Sequence, residues 1–438
     1  MRLGTARAGV AGSLANLAAI ILFQAAQTPV LIHAVGYRQY YVWLILSSVP
    51  VLVSLADLGI STAGSTAGTL EFARNRRDRA NAAWRTYLRW TISSTAVVAG
   101  ALTLATWLQV LPLPGQVLDS VENRSTLTAL LLWAFLTLLW SSCEGTLRIV
   151  GLFPVGVTGL ALGRLLDCLT LVTAATISTS LDTIAWSLFV TRLLGLAIFA
   201  PVTHRLARDL IRQPRGAPWS IKPLIIPAAG AAAFPIGVNL FAQGVILSAA
   251  STLSPPALAA FNVLRLGVGT SRQLLLAIGY GVVAELSRAY ASGDIQRETG
   301  LVRKLSRTAH LASLLLGIAL VLIGNQVIEI LTHGQRVSLT ALCLGAVAIV
   351  LDGTWLTSYA RLLARNSQLL AGIASLTAAL IGVVFAYLLR SDAIETYCLA
   401  LVLTTLIMSG MIRLFVGPTL ARTDRLAQRP WPSTPEVS

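Results

Sequence analysis

The stretch PLIIPAAGAAAFPIGVNLFAQGVILSAASTLSPPALAAFNVL, residues 223–264, contains no ionisable side chain. A helix that crosses the hydrocarbon core of a bilayer needs about 20 predominantly apolar residues. The stretch therefore has room for one full span, a turn at Pro255 and Pro256, and part of a second span. A soluble protein would have to bury all of this surface, so the stretch predicts an integral membrane protein.

The rest of the chain has the same apolar character. Hydrophobic residues make up 55% of the 438 residues and charged residues 12%, whereas about a quarter of the residues of soluble domains are charged. Apolar runs separated by charged or Pro/Gly-rich breaks predict an all-α polytopic protein of about twelve transmembrane helices. The predicted spans are 11–35, 41–62, 88–111, 125–149, 153–178, 183–203, 224–252, 257–284, 307–330, 338–361, 368–389 and 396–416.

Basic residues are divided unevenly between the two sides of these spans. The N-terminus, the even-numbered junctions and the C-terminal end hold 25 of the 33 lysines and arginines. The odd-numbered junctions hold only Arg38, Arg124, Arg336 and Arg390. Because cytoplasmic loops are rich in Lys and Arg, this bias predicts that both termini are cytoplasmic. It also accounts for the net charge of +15 without a nucleic-acid partner, for which the sequence carries no motif.

Motifs for catalysis and metal binding are missing from the sequence. It contains no H-E-x-x-H, G-x-S-x-G or Walker loop. The four cysteines show no CxxC spacing, and the four histidines lie far apart at predicted helix ends. We therefore predict that the protein is not an enzyme and has no metal site or cofactor.

The two halves of the chain have a similar layout. Each holds six spans, and in each the second span is followed by a segment predicted to be a basic cytoplasmic loop, 71–89 and 288–307. This layout is typical of transporters built from repeats. The predicted organisation is an N-terminal six-helix lobe (1–203), a cytoplasmic linker (204–223), a C-terminal six-helix lobe (224–416) and a disordered cytoplasmic tail (417–438).

Charged residues inside the spans are energetically costly and usually face a partner or a water-filled cavity. Glu144 and Arg148 are four residues apart, and Arg164 and Asp167 are three apart, so each pair shares one helix face. We interpret both as structural ion pairs. Three further charged residues have no such neighbour and are candidates for coupling or gating: Asp57, Arg192 and Asp352.

Arg265 and Arg272 lie seven residues apart on one face of the eighth span. No acid occurs between Lys222 and Glu285, so neither arginine has a local partner. Such an unpaired stripe predicts a water-filled cavity that binds an anion. The alternative is that both arginines pair with acids on other helices.

Amide side chains gather on the first helix of each half, and Pro29, Pro227 and Pro235 allow these helices to bend towards a cavity. Any single amide can also serve as a hydrogen bond between helices. Their concentration nevertheless favours one shared solvated site that also holds Arg265 and Arg272. The amides in this predicted substrate site are Asn16, Gln24, Gln27, Asn239, Gln243 and Asn262.

Two segments of the sequence resemble a known family. GYRQYYVW (36–43) through ADLG (56–59), and ALAAFNVLR (257–265) through ELSRAYASGD (285–294), are similar to Wzx-type polysaccharide flippases. These flippases belong to the multidrug/oligosaccharidyl-lipid/polysaccharide (MOP) exporter superfamily, and the length and the six-plus-six division fit over essentially the whole chain.

The resemblance implies two six-helix lobes around a central cavity lined mainly by helices 1, 2, 7 and 8. It implies alternating access that carries an undecaprenyl-diphosphate-linked oligosaccharide across the bacterial inner membrane, for O-antigen or exopolysaccharide biosynthesis. The implied partners are this lipid-linked glycan, membrane lipid, and a polysaccharide polymerase and chain-length regulator.

Two alternatives stay open beside the flippase. The multidrug-exporting MATE branch of the superfamily often uses a carboxylate in helix 1 as its proton switch, and this chain has no acid between Met1 and Val35. Multidrug or cation antiport is therefore the less favoured transport function. A non-transporting scaffold of a glycan-assembly complex is the alternative from a different class.

Overall fold

The computed structural model describes residues 3–57, 59–114, 117–212, 222–291, 293–365 and 368–427. Throughout these residues the regular structure is helical, as predicted. The helices are α1 (Leu3–Ser48), α2 (Val51–Leu55), α3 (Ile60–Ala73), α4 (Arg77–Trp107), α5 (Val121–Ile149), α6 (Phe153–Ile177), α7 (Leu181–Leu206), α8 (Arg208–Ile211), α9 (Lys222–Ala250), α10 (Pro255–Ala291), α11 (Ile295–Leu331), α12 (Leu339–Ala364), α13 (Gln368–Leu388) and α14 (Ile394–Ala427).

Eleven of the helical stretches in the described residues are long and apolar enough to cross a membrane. The first of them, Ala11–Val53, is broken at Gly36, where φ is 77° and ψ is 170°. Glycine adopts this positive φ without the steric penalty of a Cβ. The break divides the stretch into two spans, so these residues contain twelve. The prediction of an all-α, multi-pass membrane protein is confirmed.

The second span is less regular than the sequence predicts. Instead of one helix over 41–62, the chain forms the end of α1, the short α2 and then α3. Gly59, with φ 72°, precedes α3. The buried carboxylate of Asp57 caps α3, because it accepts hydrogen bonds from the backbone N–H and the hydroxyl of Ser61.

The basic segments after the second and eighth spans are mostly helical, so their prediction as long loops is wrong. Helix α3 ends at Ala73 and α4 begins at Arg77. Helix α10 continues to Ala291, and Asp294 caps α11 by accepting from the N–H of Arg297. Arg, Glu and Lys are good helix formers, so a loss of hydrophobicity does not end a helix.

The same reason applies at the C-terminus. Helix α14 continues through 417–427, so the predicted disorder of the tail is wrong for these residues, and 428–438 lie outside the described residues. In the predicted linker, α7 ends at Leu206 and α9 begins at Lys222, while 213–221 lie outside the described residues.

The six spans of each half pack in the same pattern. The first span packs on the fifth (α1 on α6, and α9 on α13), and the fourth packs on the sixth (α5 on α7, and α12 on α14). The second and third spans also pair in both halves, as α3 with α4 and α10 with α11. Equivalent spans of the two halves are six spans apart along the chain. Because an even number of crossings returns the chain to the same side, equivalent spans run in the same direction across the membrane. The chain thus forms two six-helix lobes that are parallel repeats.

Candidate functional site

A cavity lies between the two lobes. It consists of two volumes of about 410 and 320 Å³ that share Gln24, Gln243, Arg265 and Leu266 in their walls. Helices α1, α2, α5 and α6 contribute from the N-terminal lobe, and α9 and α10 contribute from the C-terminal lobe. We call these two joined volumes the interlobe cavity.

The predicted polar residues converge on this cavity, with one exception. Asn16 is not part of its wall, and the side-chain oxygen of Asn16 is buried without a hydrogen-bond partner. The predicted residues that line the cavity are Gln24, Gln27, Asn239, Gln243, Asn262, Arg265 and Arg272.

Arg265 has no carboxylate partner among the described residues. Its Nη2 donates to Oδ1 of Asn262 at 2.8 Å, and its Nη1 donates to the carbonyl of Ala242 at 3.5 Å. Its buried Nε has no hydrogen-bond partner. The guanidinium therefore keeps its charge and part of its donor capacity for a ligand in the cavity.

Arg272 differs, and the prediction that it is unpaired is wrong. Its Nε donates to Oδ2 of Asp352 at 2.9 Å, and its Nη2 donates to Thr405 at 3.3 Å. Asp352 is 1% exposed and also accepts from the indole N–H of Trp355. Asp352 was predicted to lack a local partner. Its partner is Arg272 on another helix, because α10 packs against α12.

The predicted pairing of Arg164 with Asp167 is also wrong. Asp167 instead forms a buried ion pair with Arg192 of α7 and accepts from the indole N–H of Trp133. Arg192 fits there because residue 163 is glycine, whose Cβ would lie 2.6 Å from Nη1 of Arg192. Arg164 remains on the wall of the interlobe cavity without a carboxylate within 4 Å among the described residues.

The other two predictions for charged side chains have separate outcomes. The ion pair of Glu144 with Arg148 is confirmed, with 2.8 Å between Oε1 and Nη2. Asp57, a candidate for coupling, is not part of the cavity wall and accepts a second hydroxyl, that of Thr91, at 2.6 Å. Its contacts with Ser61 and Thr91 tie α3 to α4.

The charge balance of the cavity is strongly positive. Among the described residues that line it, none is Asp or Glu, and Arg164, Arg265 and Arg272 face it. Asp352 neutralises Arg272 from behind. Arg164 of the N-terminal lobe and Arg265 of the C-terminal lobe have no carboxylate within 4 Å among the described residues, so the cavity wall carries a net positive charge.

One wall of the cavity comes from α5, the fourth span, which was not among the helices predicted to line the cavity. Trp133, Thr137 and Ser141 recur at intervals of four residues and line the larger volume. Phe23 stacks on Trp133 with ring centroids 6.4 Å apart. The sequence could have indicated this wall, because residues four apart share a helix face and these three form a polar and aromatic stripe on the fourth span.

The lobes contact each other at both ends of the cavity. At one end, the hydroxyl of Tyr37 donates to the carbonyl of Thr332, and that of Tyr41 donates to the carbonyl of Ala250 at 2.5 Å. At the other end, Gly59 packs directly against Ala228 of α9. The cavity is therefore bounded by hydrogen bonds on one side and by backbone packing on the other.

Comparison with solved structures identifies the fold. An inward-facing multidrug resistance MATE family transporter of the MOP superfamily shares 14% identity, with a TM-score of 0.66 over 94% of this chain and 96% of that chain. A MATE structure in the bent conformation shares 14% identity, with a TM-score of 0.67 over 97% of each chain. No family model matches the sequence, and no curated protein matches it.

A third structure is a MOP superfamily transporter from Pyrococcus furiosus Vc1. It shares 13% identity, with a TM-score of 0.69 over 96% of each chain, and its description reads "reverse polarity of binding pocket suggests different function". The fold of this chain is thus the two-lobed fold of MATE-like MOP transporters.

Proposed function

We propose that the protein is a MOP-type flippase that translocates a polyprenyl-diphosphate-linked oligosaccharide by alternating access. The observation that carries this proposal is that two guanidinium groups without a carboxylate partner, Arg164 of α6 and Arg265 of α10, line the same volume of the interlobe cavity from different lobes. A ligand held by both would bridge the two lobes, which is what a transporter that moves lobes around a bound substrate requires.

A diphosphate suits these two arginines. A guanidinium group binds two phosphate oxygens through parallel N–H donors, which an ammonium group cannot do. At an effective dielectric constant of about 20, two unit charges 4 Å apart attract by about 4 kcal/mol, compared with about 1 kcal/mol in water. The positively charged wall is therefore matched to an anionic headgroup.

The rest of the wall suits a glycan. Gln24, Gln27 and Gln243 offer both donors and acceptors to sugar hydroxyls. The rings of Phe23 and Trp133 present apolar faces on which the apolar faces of sugar rings can pack. In this proposal the arginines hold the diphosphate, while amides and aromatic rings accommodate the oligosaccharide.

Multidrug or cation antiport is supported by the fold alone. A carboxylate in the cavity would favour a cationic substrate or a coupling proton, and none of the described lining residues supplies one. A non-transporting scaffold would be supported if every intramembrane arginine had an acidic partner. Arg192 and Arg272 have such partners, but Arg164 and Arg265 do not.

The test is export of surface polysaccharide in a flippase-null strain complemented with each variant at matched protein level. We expect Arg164→Ala and Arg265→Ala to abolish export. Each removes charge-assisted hydrogen bonds worth about 1.5–3 kcal/mol, or at least about tenfold in affinity. We expect Arg265→Lys to restore export only partly, because lysine keeps the charge and loses the planar fork.

Arg336→Ala is the matched control, because Arg336 does not line the cavity and its ion pair with Glu329 is exposed on both sides. Wild-type export from the Arg164→Ala, Arg265→Ala double variant would refute the proposal. Loss of drug resistance in the same variants, without loss of polysaccharide, would favour the antiporter. A scaffold would tolerate the substitutions in both assays.

A further inference from the structure

A second site lies on the C-terminal lobe, away from the interlobe cavity. Helices α11, α12 and α14 line an open surface pocket of about 450 Å³ whose wall holds four arginines: Arg303, Arg307, Arg361 and Arg413. None of the described residues that line this volume is Asp or Glu. We call this volume the basic pocket.

The charges of the basic pocket are only slightly compensated. Arg303 and Arg307 are exposed, and no ion pair or hydrogen bond is formed by their side chains among the described residues. Arg361 approaches Glu298 only at 3.5 Å, and its buried Nε has no partner. The hydroxyl of Thr357, a buried residue of the same wall, also has no partner. These unsatisfied groups need an acceptor, which an anionic oxygen would supply.

An apolar groove continues from the basic pocket along two of its three helices, α11 and α12. The groove has a volume of about 380 Å³, and aliphatic residues and Gly317 line it. On α11 it begins at Leu314, one helical turn beyond His310 of the pocket, and on α12 it begins at Leu351, one turn before Thr354. From Leu314 to Leu322 it covers about 12 Å of helix. A polar end and an apolar groove thus form one continuous surface.

We propose that this surface binds one anionic phospholipid, with its phosphate in the basic pocket and an acyl chain in the groove. Four guanidinium groups match an anionic headgroup, and they stand on the face of the membrane where the basic residues of the chain gather. Leu314, Ile318 and Val347 of the groove are exposed, so the groove opens to the acyl chains of the bilayer. The proposal requires only that the protein spans a membrane and is independent of the transported substrate.

The test is native mass spectrometry of the full-length protein, titrated with phosphatidylglycerol and with phosphatidylcholine of the same acyl chains. Each basic residue near anionic lipid contributes about fivefold in affinity. We therefore expect Arg303→Ala with Arg307→Ala to weaken phosphatidylglycerol binding by roughly 30-fold and to leave phosphatidylcholine binding unchanged. We expect Val347→Trp, which fills the groove, to weaken both lipids.

The matched control is Arg85→Ala with Arg89→Ala. These arginines are also four residues apart, on the equivalent third span of the other lobe, and they line neither volume. We expect this control to keep wild-type binding of phosphatidylglycerol. Equal binding of the two lipids, or wild-type binding by the arginine double variant, would overturn the proposal.

Two competition experiments identify which anion the basic pocket binds. Inorganic phosphate at millimolar concentration should not displace phosphatidylglycerol, and displacement would assign the pocket to free phosphate. Undecaprenyl diphosphate at equimolar concentration should not displace it either, and displacement would assign the groove to the transported lipid. If the arginine double variant does not fold, Val347→Trp decides alone, because wild-type lipid binding by this variant would overturn the proposal.

Discussion

The side-chain amide of Asn262 donates to the hydroxyl of Tyr40 at 2.9 Å, and this hydrogen bond joins the two lobes. Oδ1 of the same amide accepts from Arg265 at 2.8 Å, and Tyr40 also contacts the hydroxyl of Thr28 at 2.8 Å. The buried amide of Asn262 thus links Arg265 to Tyr40, and the hydroxyl of Tyr40 links the amide to Thr28. A ligand that draws Arg265 away from Asn262 would therefore act on the contact between the lobes.

Asn262→Asp should reduce the affinity of the cavity for an anion. The new carboxylate would stand where Oδ1 now lies 2.8 Å from Nη2 of Arg265, and it would neutralise that charge. A loss of about 2–4 kcal/mol corresponds to at least about 30-fold weaker binding of a fluorescent undecaprenyl diphosphate. Asn325→Asp is the control, because Asn325 bonds to Val337 outside the cavity. Unchanged binding by Asn262→Asp would show that Arg265 does not hold the diphosphate.

Arg272→Ala should destabilise the fold as well as alter the cavity. It leaves Asp352 buried without its cation, and breaking a buried ion pair from one side costs about 3–5 kcal/mol. Adding Asp352→Asn should restore most of the free energy of unfolding, measured by denaturation in mixed micelles. Export by this double variant then reports on the role of Arg272 in transport alone. If the single variant is as stable as the wild type, the ion pair contributes nothing to the fold.

Arg192→Ala should destabilise the protein far more than Arg336→Ala. The pair of Arg192 with Asp167 is buried, with side chains 3% and 1% exposed, whereas the side chains of Arg336 and Glu329 are 68% and 38% exposed. We expect a loss of about 3–5 kcal/mol in the first case and of about 0–1 kcal/mol in the second. Both are measured as free energies of unfolding under the same conditions. Similar values would mean that burial of the Arg192 pair does not govern its contribution.

Gly59→Val should open the end of the cavity that Gly59 closes. A Cβ at this position would lie 2.5 Å from the carbonyl oxygen of Ala228, and the backbone φ of +72° would be strained. In a cysteine-free background, a cysteine at Gln243 should then react faster with a membrane-impermeant thiol reagent added to inverted vesicles.

The control for this change is Gly151→Val. Gly151 also has a positive φ, +81°, but a Cβ there would meet nothing within 4 Å. It therefore reproduces the backbone strain without the clash between lobes. Equal reactivity in the Gly59 variant, the Gly151 variant and the parent would show that this contact does not close the cavity.

Hydropathy and charge along the chain were enough to predict the twelve spans, the six-plus-six division and a cavity wall that carries arginines. These are properties of local segments, because a span of about 20 apolar residues must satisfy its own backbone hydrogen bonds as a helix. Gln24, Gln243 and Arg265 meet in the cavity because the first helices of the two lobes and α10 face each other.

Only the tertiary structure shows which arginines of the cavity wall lack a carboxylate partner. Spacing along one helix shows that Arg164 and Asp167 share a face, but it does not show that α7 brings Arg192 to the same carboxylate. In the other lobe, the contact of Arg272 with Asp352 joins residues 80 positions apart. Ion pairs between helices depend on which helices pack together and how close small residues such as Gly163 let them come. That information is not contained in any single segment, so only the packed lobes leave Arg164 and Arg265 as the two free cations among the described residues of the cavity wall.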